Sequence, residues 1–258
     1  MNMQLDFHGK RVFVAAAAND LSRGVAQAFH GLGATVAVNG PTDRYAAQTI
    51  EIMGGGKRLV PADGDLMASN VKQTVDTAIA ALGGLDVLIC GFGLVEPCRV
   101  DDISEDHWER SLAMNLKSAF FTAQACGRAL KSSRGCIVNV ASAIGLIGGP
   151  PGTVAYSTAK GAMIQMTRMM ALELSGDGVR VNCFCPGWTN TSMNGRKTDS
   201  PHGDPLAGYT EQRSPFARGG TIEEFAAGIL HLASPLASYT TGTTLISDGG
   251  LTSGHYLS

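Results

Sequence analysis

The chain has 258 residues, 44% of them hydrophobic and 16% charged, with a formal net charge of -2. That supply of apolar side chains is enough for a substantial core and excludes an intrinsically disordered chain. The near-neutral balance, with no basic stripe, gives nucleic acid and anionic membranes no electrostatic footing as partners.

No apolar run is long enough to span a bilayer. The N-terminal MNMQLDFHGK lacks the charged-then-apolar pattern of a secretory signal, so the expected location is the cytoplasm. Asn190-Thr191-Ser192 matches a glycosylation acceptor and is discounted for the same reason. Cys90, Cys98, Cys126, Cys136, Cys183 and Cys185 form no C-x-x-C pair and no ligand cluster with histidine. They are expected to be reduced, buried thiols, and no metal site is expected. Cys183 and Cys185 stand two apart in an expected strand and so face the same side.

Strand-like and helix-like segments alternate from the start. Residues 11–16 form an apolar strand and 22–33 have helical spacing. A second strand covers 34–39, and a helix covers 42–55 with Thr42 as its expected N-cap. A third strand covers 57–62 and a helix follows to Leu82. The fourth strand is 85–91, with a helical region over 103–131 behind it. The fifth strand, 135–142, precedes a long helix over 154–175. The sixth strand is 179–185, a helix covers 221–233, and a last strand covers 243–247. Alternation of this kind predicts an α/β fold. It is one Rossmann-type, doubly wound parallel sheet of about seven strands, with helices on both faces. No linker divides the chain, so residues 1–258 read as one domain. The stretch 191–220, rich in Gly, Pro, Ser and Thr, reads as a substrate lid. Ligands in such sheets bind beyond the carboxyl ends of the strands, which singles out residues just after strands four, five and six.

Tyr156 and Lys160 stand four apart in AYSTAKGAM, on one face of a helix. An ammonium near a phenol favours the phenolate, so Tyr156 would exchange a proton nearer neutral pH than a free tyrosine. Ser142 ends the fifth strand, where its hydroxyl can bond a substrate oxygen. Asn115 interrupts an apolar helical stretch, LAMNLKSAF, where an asparagine suggests a polar task.

Together these residues make the whole chain resemble the short-chain dehydrogenase/reductase family. Asn115, Ser142, Tyr156 and Lys160 match its catalytic tetrad in order and spacing. CPGWTNT (185–191) is similar to the Pro-Gly segment after strand six, and ISDGGLTSG (246–254) to the C-terminal D-G-G segment. The resemblance implies a hydride transferred between a nicotinamide cofactor and a secondary alcohol or ketone. It makes Tyr156 the general acid/base. Lys160 lowers the pKa of Tyr156 and bonds the nicotinamide ribose, Ser142 polarises the substrate oxygen, and Asn115 anchors a water in a proton relay. It assigns the cofactor to Ala16, Asn19, Asp20 and Leu21 in the first turn, and to Asn39 and Gly40 after strand two. Further cofactor positions are Asp63 and Gly64 near the adenine and Cys90, Gly91 and Phe92 after strand four. Tyr156 and Lys160 complete the set with Pro186, Gly187, Thr189 and Thr191. Substrate falls to Ser142, Ile144, Trp188 and Met193.

Three departures stand out. The family's first turn reads T-G-x-x-x-G-x-G, and here Ala15, Ala16, Asp20 and Ser22 occupy its four fixed positions. Ala16 costs little if its φ stays negative, whereas a carboxylate at Asp20 would repel a pyrophosphate. Asn19 and Asp20 tolerate left-handed backbone, and Asp20 or Ser22 can cap the following helix. The expectation is that Asp20 points away and that amides around Asn19 to Ser22 stay available. Enoyl reductases of the same superfamily also lack the full glycine set, but their tyrosine-to-lysine spacing is longer. Second, Cys90-Gly91-Phe92-Gly93 replaces N-N-A-G after strand four, losing an asparagine that ties strands. Third, Gly40 stands where NAD-preferring members carry an acid, with Arg23 and Arg44 as the nearest cations in sequence. That tips the expectation to NADP(H) over NAD(H).

The remaining expectations are blander. His30 and His231 are structural, and His202 and His255 are loop residues. Met163, Met166, Met169 and Met170 pack in the core or between subunits of a homotetramer or homodimer. A non-redox step on the same scaffold, such as C–C cleavage or dehydration, is the alternative function. A nucleotide-free binding or regulatory protein is the third.

Overall fold

Seven short, mostly apolar runs pair side by side; the five inner ones are buried on both faces, whereas the two at the edges are only partly buried. A computed structural model describes residues 4–42, 44–67, 70–189 and 213–254. The strands are β1 (Arg11–Ala15), β2 (Thr35–Gly40), β3 (Leu59–Asp63), β4 (Val87–Cys90), β5 (Cys136–Val140), β6 (Arg180–Pro186) and β7 (Thr244–Ser247). They form one parallel sheet in the order β3-β2-β1-β4-β5-β6-β7. The order reverses between β1 and β4, and a crevice opens there at the carboxyl ends of the strands.

The helices are α1 (Asp20–Gly31), α2 (Tyr45–Ile52), α3 (Val71–Leu82), α4 (Glu105–Leu112), α5 (Ser118–Ser133), α6 (Val154–Leu174) and α7 (Ile222–Ala233). Alternation along β1 divides the core. Val12 and Val14 join Val25 and Phe29 of α1 and Ile229 of α7 on one face. Phe13 and Ala15 join Val75 of α3, Leu130 of α5 and Met163 of α6 on the other. Each fully buried Val, Ile, Leu or Phe contributes about 1.5–3 kcal/mol, which is what holds the strand ends in register.

Several local expectations need correcting. Thr42 does not cap α2; that place falls to Arg44, in left-handed backbone at φ 74°. The helical region expected over 103–131 is present, running from Glu105 to Ser133, with a π-helical turn, Ala113–Lys117, between α4 and α5. Among the methionines, Met163 is fully buried, Met166 and Met170 pack against the core, and Met169 is exposed. Most of the expected lid, 190–212, lies outside the described residues. Its flanks do not: Thr189 bridges Gly220, whose N–H donates to Trp188 O at 2.9 Å. Among the described residues no helix is long and apolar enough to cross a membrane.

Candidate active site

Three functional side chains converge where β5 and β6 end. Ser142 leaves β5 in extended backbone, and Tyr156 and Lys160 face it from the first two turns of α6. They line one cleft with Pro186, Gly187 and Trp188 from the end of β6. Lys160 is 1% exposed, and its Nζ donates to Phe92 O at 2.6 Å and Val140 O at 2.9 Å. Those two bonds fix the ammonium 5.6 Å from the centre of the Tyr156 ring. Burial pulls the ammonium down to about 8. The Tyr156 phenol is pushed up to about 12 by burial, with its hydrogen bond to Ser142 acting in the opposite direction. This differs from the expected lowering of Tyr156. Burial, which penalises the phenolate, is the largest cause, and two of the three ammonium N–H groups are taken by carbonyls. Tyr156 therefore keeps its phenolic proton at neutral pH. Ser142, hydrogen-bonded to that phenol, lines the cleft beside it.

Asn115 explains the π-helical turn. The extra residue turns its fully buried side chain toward the loop after β4. Its Oδ1 accepts from Leu94 N at 2.9 Å, and its Nδ2 donates to Leu94 O and Ser111 O, both at 3.0 Å. Here Asn115 is a clamp on that loop, two residues beyond the carbonyl that holds Lys160.

The outer half of the cleft begins at the first turn. Ala16 adopts φ 58°, the left-handed region, so the condition under which alanine costs little is not met. Asn19, not Asp20 or Ser22, is the N-cap of α1, and its φ of -89° is ordinary. Its Oδ1 accepts from Ser22 N at 2.9 Å, so that amide is not available to a ligand. Its Nδ2 donates to Ala16 O and Gly91 O, both at 2.9 Å. Asn39 does the same for the neighbouring strands. Its Oδ1 accepts from Ala16 N at 3.1 Å, and its Nδ2 reaches Ala62 O at 2.8 Å and Gly64 O at 3.1 Å. The tie between strands lost from the loop after β4 is thus made by two other asparagines.

The close packing usually given by a helix glycine has moved as well. Ser22 is buried against Gly91, and a Cβ on Gly91 would lie 2.0 Å from Ser22 Oγ. The small residue sits on the strand side of the contact. Asp20 pairs with Arg23 and lies outside the residues lining the cleft and the outer hollow. Leu21, in the first turn of α1, lines the inner cleft, so the positive end of that helix opens into it. Asn19, Phe92 and Gly93 line both the inner cleft and an outer hollow containing Ala16, Asn39, Pro41, Tyr45 and Asp65.

Some expected contacts fall away from this trough. One oxygen of Asp63 accepts from Ala46 N at 2.9 Å, anchoring α2, and Asp65 takes its place at the outer hollow. Gly64 is needed for packing, since a Cβ there would lie 2.2 Å from Thr74 Oγ1. Gly40 lies under α2, with Ala46 N and Tyr45 Cβ each 2.6 Å from a Cβ. The Cys90 thiol points into the core toward Ala119 O, and burial pushes it up to about 12. Ile144, Trp188 and Thr189 do line the inner cleft. Thr191, Met193, His202 and His255 lie outside the described residues.

Sequence reasoning missed Val95, Pro150, Thr153 and Leu251 of the inner cleft and Tyr45 of the outer hollow. Leu251 was within reach, because Gly187 packs on Asp248, whose carboxylate binds Gly250 N and Thr252 N. That turn carries Leu251 to the cleft. Cys183 and Cys185 face the same side, as expected, with sulfurs 4.0 Å apart, and all six cysteines are free.

Residues 15–252 match a family model described as enoyl-(acyl carrier protein) reductase. The chain is 33% identical to an uncharacterized oxidoreductase of Thermotoga maritima, over 96% of this chain and 99% of that one. It is 32% identical to 3beta-hydroxysteroid dehydrogenase 1 of Eggerthella lenta, over 96% and 95%. A short-chain type dehydrogenase/reductase from Mycobacterium marinum, solved by crystallography, superimposes with a TM-score of 0.87 at 31% identity, covering 97% of this chain and 98% of that one.

Proposed function

The chain belongs to the short-chain dehydrogenase/reductase family, and from that premise we propose that it is an NAD(P)-dependent oxidoreductase of secondary alcohols and ketones whose working groups are Tyr156, Lys160, Ser142 and Asn115. The observation that carries this reading is the convergence of Ser142, Tyr156 and Lys160 in one cleft at the switch point of the sheet. The residues present fit a dinucleotide. The inner cleft and the outer hollow share Asn19, Phe92 and Gly93, and Leu21, in the first turn of α1, lines the inner cleft.

A bound nicotinamide would supply the hydride. Tyr156, protonated up to about 12, gives its proton to the carbonyl oxygen in reduction. Ser142 donates to the same oxygen and holds the carbonyl to one side of the cleft. Lys160 offsets the charge left on the phenolate. Asn115 acts one step back, by holding the loop whose Phe92 carbonyl orients Lys160.

Between the two cofactors we assign NADP(H). Gly40 offers no carboxylate to a ribose 2′-hydroxyl and has no room for one. Arg44 is exposed immediately before Tyr45, which lines the outer hollow. Asp65 in the same hollow opposes the assignment, so separate titrations with NADPH and NADH, read by nicotinamide fluorescence, decide it. The chain acts as one domain and as a homo-oligomer. Exposed Phe120 and Phe121 on α5 and Met169 and Leu172 on α6 support self-association, which sedimentation tests. Six free thiols fit a reducing compartment such as the cytoplasm.

Tyr156→Phe tests the central assignment. Turnover should fall about 10²–10⁴-fold with cofactor affinity nearly unchanged. Undiminished turnover refutes the role of Tyr156, and failure of either dinucleotide to bind at millimolar concentration refutes the enzyme reading altogether.

A further inference from the structure

Resting on the reductase reading, we propose that the substrate is an uncharged, apolar ketone or its alcohol, carrying one polar atom: the oxygen that reacts. Around Ser142 and Tyr156 the walls of the inner cleft are Phe92, Val95, Ile144, Pro150, Trp188 and Leu251. Every one is aliphatic or aromatic. Lys160 is the single charged side chain among the described lining residues, and two carbonyls hold its ammonium at 2.6 and 2.9 Å. Two of its three N–H groups are thus taken, and in the reductase reading its charge serves the Tyr156 phenolate. Glu96, next to Val95, is itself bound to Arg110 at 3.0 Å, outside the cleft lining.

The uncharged polar groups are committed too. Thr153 Oγ1 donates to Pro150 O at 2.7 Å. Both N–H groups of the Asn19 amide and its oxygen are used within the first turn and at Gly91. Among the described residues Thr189 is the one other side-chain hydroxyl lining this cleft. Against these described walls a sugar would bury several hydroxyls without partners, and an anion would compete with the phenolate for the one ammonium. Either loses far more than an apolar ketone does. An apolar ketone instead displaces water from apolar walls and leaves its one oxygen to Ser142 and Tyr156.

A matched pair of ketones tests this on the full chain saturated with NADPH. The probes are 4-ethylcyclohexanone and 4-oxocyclohexanecarboxylate, with fructose as the polyhydroxylated ketone. Turnover is followed by nicotinamide absorbance and binding to the cofactor complex by calorimetry. The neutral ring should exceed the carboxylate and fructose by about 100-fold or more in kcat/KM. Val95→Lys, at a half-buried wall position, should raise the carboxylate's kcat/KM by about tenfold and lower that of the neutral ring. The proposal is overturned if the carboxylate or fructose comes within tenfold of the neutral ring, or if no neutral ring ketone binds the cofactor complex at millimolar concentration. Loss of NADPH and NADH binding is a different result, because it removes the reductase reading itself.

Discussion

The inner half of the cleft, around Ser142, Tyr156 and Lys160, and the outer half, around Ala16, Asn19 and Gly91, meet at Phe92. The inner half keeps the family's residues at the family's spacing, and the fold brings them together as expected. The outer half keeps none of the three glycines and has lost the strand-tying asparagine. It is nevertheless a closed network of hydrogen bonds through Asn19 and Asn39. Proton transfer depends on particular atoms at particular distances, so its residues cannot be exchanged. A turn needs only a backbone path, a cap and room, and different side chains can supply those.

The largest effect is expected in the inner half. Lys160→Met should lower kcat/KM by about 10²–10⁴-fold and also destabilise the protein by about 1–3 kcal/mol. The stability loss follows because Phe92 O and Val140 O, buried beside Lys160, lose their donor. A thermal melt and an assay of ketone reduction read the two effects. The pH dependence has a definite sign. The folded ammonium is held below its ordinary value, at about 8, so it is charged below that pH and neutral above it. Ketone reduction should be level below about pH 8 and fall above it as support for the phenolate is lost. A rate that climbs from pH 8 to 10 would contradict this arrangement.

Gly91→Ala probes the junction of α1 with β4. The new methyl would meet Ser22 Oγ at 2.0 Å and Ala15 O at 3.1 Å, a clash worth about 1–3 kcal/mol. Removing the hydroxymethyl group in the double variant Gly91→Ala, Ser22→Gly should recover most of that loss. If the two substitutions simply add, the contact has not moved from helix to strand as argued, and a double-mutant cycle in urea measures it.

The strands, their parallel pairing and the meeting of Ser142, Tyr156 and Lys160 in one cleft were legible because they rest on periodicity and on short spacings, which sequence records directly. The outer half was harder for a physical reason. Asp20 and Ser22 looked like caps, but the cap went to Asn19, whose amide serves Ala16 O and Gly91 O at once. A residue 72 positions away decided the matter, and no local pattern contains that contact. Asp63 likewise looked like an adenine ligand until Ala46 N claimed one of its oxygens. The raised Tyr156 pKa depended on burial, which spacing alone does not measure.

Asn19→Asp separates the two tasks of that side chain. An aspartate keeps the acceptor that caps Ser22 N but loses both donors. If the amide only caps the helix, nothing changes. If it also shapes the trough, cofactor affinity should weaken by about tenfold, or about 1.4 kcal/mol, with kcat at saturating cofactor nearly unchanged. A fall in kcat with intact affinity would place the defect in the inner half instead.

The smallest effect, and the only gain, is expected at Ala16. Its φ of 58° places an L-residue in left-handed backbone, which costs about 1–2 kcal/mol. Glycine removes that strain but adds about 0.4–1 kcal/mol of unfolded-state entropy. Ala16→Gly should therefore stabilise the protein by up to about 1 kcal/mol, raising Tm by about 2–4 °C. The same change at a residue with negative φ would destabilise it. The hydrogen bonds from Asn39 and Asn19 to the Ala16 backbone do not depend on its side chain, so they survive the substitution. A lower Tm would mean that the Ala16 methyl contributes packing in the outer hollow that outweighs its strain. The outer half would then be adapted to alanine rather than merely tolerating it.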